Sequence, residues 1–362
     1  MMRTFDLLVV GDANPDVVIG PLHGPLEFGQ REQLVERAGL VLGGSAAIMA
    51  CGAARLGLRV AFAGRVGDDP AGAFVREALA GRGVDVGFLV TDPVLPTPLT
   101  TVVTAGDGDR AVLTAPGCLT ATGPEDVPAD LIAASRHVHA ASFFLMPRLA
   151  RSLASVFGRA REAGATTSLD TNDDPAGRWE RELLDPVMKF TDFLLPNAAE
   201  ARALAGERDL LRAATVLAGR GPAVVVKDGA DGALACAGGL LSRAPAASVE
   251  PVDTVGAGDS FDAGFVAAIL RGLDLRGALA VAAACGSLST RASGGTAAQP
   301  TWDEARAAAG AHSADVPAGP DNPATPDTPN SPDHPDHPNS SNSPAEKGIS
   351  SSPSTRDTRS RS

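Results

Sequence analysis

A short run that is apolar at every consecutive position constrains this chain most. Asp6-Leu7-Leu8-Val9-Val10-Gly11 has no polar face, so both of its sides must be covered. Similar short runs recur at 60–63, 137–141, 167–170, 193–195 and 223–226, with helix-like stretches at 45–56, 70–79, 149–162 and 198–205. Asp69 before Pro70 is a helix N-cap followed by proline at the first helical position. Strands alternating with helices predict an α/β fold: a doubly wound, mostly parallel sheet covered by helices on both faces.

Two places break the rhythm. Residues 17–19 and 33–36 read as short strands with no helix between them, and 99–105 and 110–114 read as a hairpin around Gly106-Asp107-Gly108-Asp109. These strands, within about 13–42 and 97–116, are expected to form a separate small sheet, a lid over the carboxyl ends of the parallel strands where ligands bind in open α/β folds. Lid strands left exposed are open edges, so a homodimer paired through the lid is expected. His137 and His139 are read as facing opposite sides of their strand and so not forming a metal site; Phe143 and Phe144, after a strand end, suit core packing and ring stacking equally.

The apolar pattern stops near Ala314. Val316 and Ile349 are the only large apolar residues from there to Ser362. Ordering that backbone would cost roughly 50 kcal/mol, and burying two aliphatic side chains returns about 6 kcal/mol at most. A folded domain over 1–312 and a disordered tail over 313–362 follow, with His334 and His337 read as part of a solvated linker rather than a metal tract. The formal charge of −12 gives no general attraction for nucleic acid or anionic membranes, and no apolar run is long enough to span a bilayer. The N-terminus reads as a first strand rather than a secretory signal. Cys51, Cys118, Cys236 and Cys285 are widely spaced and suit a reduced cytoplasm.

The strongest chemical signal is Asp253-Thr254-Val255-Gly256-Ala257-Gly258-Asp259-Ser260-Phe261-Asp262-Ala263-Gly264-Phe265. A Gly-x-Gly turn leading into an apolar helix presents unpaired N–H groups and a positive dipole end, an anion site. Asp259 sits at that helix start and is expected to stay ionised. A carboxylate beside an anion hole suits phosphoryl transfer to an alcohol: it takes the hydroxyl proton while the N–H groups hold the developing charge.

That run resembles the C-terminal signature of the ribokinase-like carbohydrate kinases, the PfkB family. Gly43-Gly44-Ser45-Ala46-Ala47 is similar to that family's glycine pair, Gly64-Arg65-Val66-Gly67-Asp68-Asp69 with Gly72 to its G-x-V-G-x-D segment, and Asp107-Gly108-Asp109-Arg110 to its lid hairpin. The resemblance implies an ATP- and Mg²⁺-dependent kinase. In it Asp259 is the base, and the amides of Gly256, Ala257 and Gly258 form the anion hole. Asn14, Asp16, Gly43, Gly44 and Ser45 hold the acceptor, and Asn197, Lys227, Gly229 and Gly232 meet the nucleotide, whose adenine lies beside a helix over 280–287. Glu200 organises Mg²⁺ through water, and a monovalent cation such as K⁺ lies near Asp253. Asn197 and Glu200 also read as a helix capping box, and both roles are compatible.

Two departures narrow the acceptor. Ile48 stands where the family often has an Asn that touches a sugar hydroxyl, and Asp174 where an Arg often suits acidic sugars. The expected substrate is therefore a small neutral sugar, with a nucleoside kinase or a non-catalytic sugar or nucleotide sensor on the same fold as alternatives. Deleting 314–362 should leave both the melting temperature and activity within error of the full chain; a large drop in melting temperature would refute a disordered tail.

Overall fold

The computed structural model describes residues 3–106 and 109–313. The 107–108 turn and all of the expected tail but Ser313, which closes the last helix, lie outside the described residues. Fourteen strands are described: β1 (Phe5–Val10), β2 (Asn14–Leu22), β3 (Arg37–Gly43), β4 (Val60–Gly67), β5 (Val84–Asp85), β6 (Leu89–Asp92), β7 (Leu99–Ala105), β8 (Arg110–Ala115), β9 (Ser135–Ala140), β10 (Thr166–Leu169), β11 (Phe193–Leu194), β12 (Ala223–Lys227), β13 (Ala233–Ala237) and β14 (Leu240–Ala244). The main sheet runs β14-β13-β12-β11-β10-β9-β1-β4-β5, with β6 also on β4. Its pairings are parallel from β12 to β5, and the β13–β14 hairpin adds an antiparallel edge.

The continuous apolar run of β1 is explained by its central position. Leu7 and Val9 pack with Phe62, Phe261 and Phe265 on one face, while Leu8 and Val10 pack with Val138, Phe157 and Leu169 on the other. Full burial of each such side chain contributes about 1.5–3 kcal/mol. The helix Pro70–Ala80 starts as expected, with the Asp69 carboxylate accepting from the Gly72 N–H at 2.8 Å.

The second sheet has the order β3-β2-β7-β8, with β2 and β7 parallel and the outer pairs antiparallel. This is the expected lid sheet, with one correction. Residues 33–36 are not a strand; the strand is β3, whose first four residues are exposed and whose last two are buried. A half-solvated edge strand containing Gly39 has little apolar alternation to betray it. His137 and His139 are also corrected: residues two apart on a strand share a face. Both imidazoles bond to the Ser168 hydroxyl, His137 through Nε2 at 2.7 Å and His139 through Nδ1 at 2.8 Å. Burial pushes both below the usual imidazole range, to about 3 and about 4, so they are neutral core residues.

One side chain ties the lid to the main body. Arg110, first in β8, donates from Nη2 to Thr254 Oγ1 at 2.9 Å, and its Nη1 lies 3.8 Å from Asp253 Oδ1. The pair is partly exposed, so it is worth about 1 kcal/mol. Arg110→Gln should therefore speed amide hydrogen exchange in β7 and β8 by roughly three- to tenfold while leaving β1 unchanged. Unchanged exchange in the lid would show that the contact does not hold it.

Candidate active site

The parallel strands deliver their polar residues to one corner at their carboxyl ends. Asp12 follows β1, Ser142 follows β9, Asp170 and Asn172 follow β10, Asn197 follows β11, and Lys227 ends β12. The helix Ala257–Leu270 points its N-terminus into the same corner. Gly256 caps it at φ 72°, and a Cβ there would lie 2.6 Å from Gly295 Cα and 2.9 Å from its carbonyl oxygen. No L side chain fits that turn without displacing backbone. The first N–H groups of a helix have no intrahelical acceptor. Of the three expected anion-hole amides, that of Ala257 turns back to the Thr254 carbonyl in a long 3.3 Å bond.

Asp259 lies buried in the first turn of this helix. Its carboxyl is pushed up to about 8 by burial and by the charge of Asp170, with Asp12 adding to the effect; Lys227 and a hydrogen bond from Ser45 pull the other way. The expectation that Asp259 simply stays ionised is thus overturned for the ligand-free protein. The helix dipole is worth ~0.3–2 kcal/mol, less than desolvation combined with neighbouring like charge.

Asp12 is the residue that the sequence reading missed on the acceptor side. The helix Ser45–Arg55 begins at Gly44, which has no side chain to cap it. Asp12 does so from a distant loop, accepting from the N–H groups of Ser45 and Ala46 at 3.1 and 3.0 Å. Asp16 accepts from Asn14 Nδ2 at 2.7 Å, and Gly43 leaves the room that its carboxylate fills. Burial and the nearby Asp12 raise Asp16 to about 6. Asn172 closes the web, donating from Nδ2 to Ser45 Oγ at 2.9 Å and accepting from the Ser142 N–H at 2.6 Å. The structure therefore brings Asn14, Asp16, Gly43, Gly44, Ser45 and Asp259 together.

Lys227 has a different position from the one expected. Its Nζ bonds to Asp170 Oδ2 at 2.6 Å and to Asp262 Oδ2 at 3.1 Å, and its stem passes Gly258. Two of its three donors are thereby committed inside the protein. The nearby acids hold it firmly protonated and Lys227 holds Asp170 ionised, whereas burial drives Asp262 well upward. Beyond it, the Gly229 backbone has open space around its Cβ position, and a Cβ on Gly232 would strike the Ala244 carbonyl oxygen at 2.1 Å. Ala244 and its neighbour Pro245 also line a cavity of about 280 Å³, together with Arg243, Arg276, Ala280 and Ala284. The helix Leu275–Ser289 thus borders a cavity where the adenine was expected.

Asn197 and Glu200 form the full capping box. Asn197 Oδ1 accepts from the Glu200 N–H, and Glu200 Oε2 accepts from the Asn197 N–H, both at 2.9 Å. Burial and the charge of Asp170 raise Glu200 to about 7. No group of three or more His, Cys, Asp or Glu side chains that could hold a metal directly occurs among the described residues. The Asp253 carboxylate is already engaged by the N–H groups of Val255 and Gly294, each at 3.0 Å, and faces Arg110.

Three other expectations resolve here. Phe143 is buried, and Phe144 is held edge-on between Phe143 at 5.1 Å and Trp179 at 5.6 Å, so the pair serves packing. Asp174 accepts from the N–H groups of Ala176, Arg178 and Trp179 at 2.7–3.0 Å, which lowers its pKa and fixes its own loop. Ile48 packs beneath the Gly256 turn against Gly295, and its carbonyl accepts from Gln299 Nε2 at 2.9 Å.

Raising Asp259 to about 8 has a stability consequence with a definite sign. The folded state binds this proton more tightly than the unfolded chain, so the contribution is fully present below the ordinary carboxylate value of 3.8 and is lost as pH rises to about 8. Asp259→Asn should therefore unfold at a higher temperature than the ligand-free wild type at pH 8, with the gap shrinking towards pH 5. A gap independent of pH would show that Asp259 titrates normally.

Comparison with known proteins agrees with this geometry. The model of the pfkB family of carbohydrate kinases matches residues 4–302. The fructokinase of Klebsiella pneumoniae is 33% identical over 283 residues, covering 72% of this chain and 90% of that protein. The aminoimidazole riboside kinase of Salmonella typhimurium is 32% identical, covering 84% and 95%. The structure of Arabidopsis thaliana ribokinase complexed with ribose and ATP superposes with a TM-score of 0.74 at 25% identity, covering 85% of this chain and 99% of that one. With the family's motifs converging at one corner of a ribokinase-like fold, this chain belongs to the pfkB family of carbohydrate kinases.

Proposed function

We propose that this kinase transfers the γ-phosphate of ATP to a hydroxymethyl group of a small neutral sugar, ribose- or fructose-like. The observation that carries the reading is Asp259 in the first helical turn behind the Gly256 cap, with the acceptor-side residues gathered beside it. Asp16, oriented by Asn14, accepts hydrogen bonds from sugar hydroxyls, and the Gly43-Gly44-Ser45 turn lets backbone approach the ring. Asp259 takes the proton of the reacting hydroxyl. That oxygen then bonds to the γ-phosphorus, the bond to the β,γ-bridging oxygen breaks, and ADP leaves. Amides of Gly256 and Gly258, and that of Ala257 once its long bond to the Thr254 carbonyl opens, hold the charge of the migrating group, with Lys227 backing the turn.

Mg²⁺, when bound with the nucleotide, supplies charge neutralisation between the phosphates. Glu200, with Asp170 and Asp173 nearby, forms an acidic wall suited to holding it through water. Asp253 accepts one N–H bond on each carboxylate oxygen and faces Arg110, and no step is assigned to K⁺. We place the adenine at the cavity beside Ala280 and Ala284, reached over Gly229 and Gly232. Pairing of two copies through the lid, with Leu40, Val112 and Leu113 exposed there, and residence in the cytoplasm remain part of this proposal. A nucleoside acceptor is the second reading, favoured by likeness to the aminoimidazole riboside kinase; the packed state of Phe143 and Phe144 counts against it.

Assaying ADP release with ribose, fructose, adenosine and inosine in parallel separates the two readings. Asp259→Asn should lower kcat by ~10²–10⁴ while ATP binding survives. Retention of more than about a tenth of the wild-type rate would overturn the base assignment. In the wild type, kcat/KM for the acceptor should rise with pH through the range set by Glu200 and Asp259, about 7 to about 8.

A further inference from the structure

Towards the C-terminal end of the helix Ser45–Arg55, whose N-terminus meets the acceptor residues, lies a second cavity, about 580 Å³ in volume. Arg55, Arg82, Thr296 and Gln299 line it, together with Cys51 and Gly81. Arg55 is the last residue of its helix, and Arg82 lies just beyond the helix Pro70–Ala80. Each spends one donor on a backbone carbonyl: Arg55 Nε on Gln299 at 3.0 Å and Arg82 Nη1 on Ala78 at 2.9 Å. A guanidinium carries five N–H donors, so most of each fork stays free. Among the described residues neither arginine has a carboxylate within 4.0 Å, although the chain holds 43 acidic residues against 31 basic ones. Glu304 lies in the field of Arg55 but beyond 4.0 Å, so the two like charges facing one cavity are only partly offset, and an anion that accepts from both forks relieves their repulsion.

We propose that this cavity binds a small phosphate-bearing molecule, a phosphomonoester dianion, at a site separate from the catalytic corner. Phosphate oxygens match the planar guanidinium fork, Thr296 adds a hydroxyl, and the volume exceeds what a bare phosphate needs, leaving room for a small organic group. The cavity wall is also a wall of the active site. Gln299, whose carbonyl holds Arg55, donates from Nε2 to the Ile48 carbonyl at 2.9 Å and to Ser260 Oγ at 3.1 Å, next to Asp259. In the same segment Gly294 donates its N–H to Asp253, and Gly295 packs on the Gly256 turn. Occupancy of the cavity therefore stiffens residues 294–299, on which the anion-hole turn rests.

The test is calorimetric titration of the full chain with inorganic phosphate and, separately, with glycerol 3-phosphate, each with and without saturating non-hydrolysable ATP analogue. Saturable binding below about 10 mM that persists with the analogue present is expected. Arg82→Gln, which removes one fork but no link to Gln299, should weaken it by at least ~tenfold while leaving turnover without added phosphate within twofold. Asp259→Asn should bind as the wild type does. Tighter binding of glycerol 3-phosphate assigns the site to an organic ester, and equal binding to phosphate itself. Loss of binding when the analogue is present, unchanged binding to both Arg82→Gln and Arg55→Gln, or no binding by the wild type overturns the proposal.

Discussion

Inside the catalytic corner Lys227 is bonded at once to Asp170 and Asp262, with Glu200 and Asp259 also within its field. Two unit charges 4 Å apart interact by about 4 kcal/mol at an effective dielectric of 20, so this many carboxylates cannot all be ionised around one ammonium. The protein divides the protons among them. Asp170, in direct contact with Lys227, is held ionised; Asp262, Asp259 and Glu200 are pushed upward to differing extents. The site is therefore tuned near neutrality as a set, and its titrations belong to the set rather than to one residue. Removing the ammonium would leave buried charges unpaired, which is far costlier than losing a surface ion pair.

This arrangement also makes a strongly raised carboxyl compatible with the base role proposed for Asp259. A base works best with a pKa near the working pH, since a group that is always ionised holds a proton too weakly to pull one from an alcohol. Burying Asp259 beside Asp170 and Asp12 costs stability and yields that match, while the helix start and Lys227 keep the rise within reach of neutral pH. The Gly256 turn is fixed by its contact with Gly295 and Ile48, so on the proposed reading the amides of Gly256 and Gly258 are already in place when charge develops.

The glycine turn before Asp259 was legible in the sequence, because Gly-x-Gly ahead of an apolar run reads as a tight turn that opens a helix. The main sheet was legible for the same kind of reason: β1 is apolar throughout since both its faces are covered. What escaped was long-range. Nothing in Gly11-Asp12-Ala13-Asn14 announces that Asp12 caps a helix 33 residues away. Likewise Lys227 at a strand end looks free until Asp170 and Asp262 are brought to it by different elements. β3 and β14 were missed because exposed edge strands lose the apolar signal, and β13, though buried, is a five-residue run of small residues around Leu234. His137 and His139 were misplaced by a wrong use of the two-residue strand period.

The charge balance of the corner bears on what can be phosphorylated. Asp12, Asp16, Asp170, Asp259 and Asp262 line it, and its one ammonium is engaged by two of them. Arg178, four residues after Asp174, is exposed and paired with Glu180 at 3.0 Å, so it does not answer for the missing arginine at Asp174. Asp174 itself is neutralised by three N–H groups of its own loop. An anionic acceptor entering here would meet carboxylates without a matching cation, whereas a neutral polyol offers hydroxyl hydrogens that those carboxylates accept. On the proposed reading, the acids that make Asp259 a workable base thereby also select the acceptor, and a substitution that changed the charge at either Asp12 or Asp16 would alter both properties together.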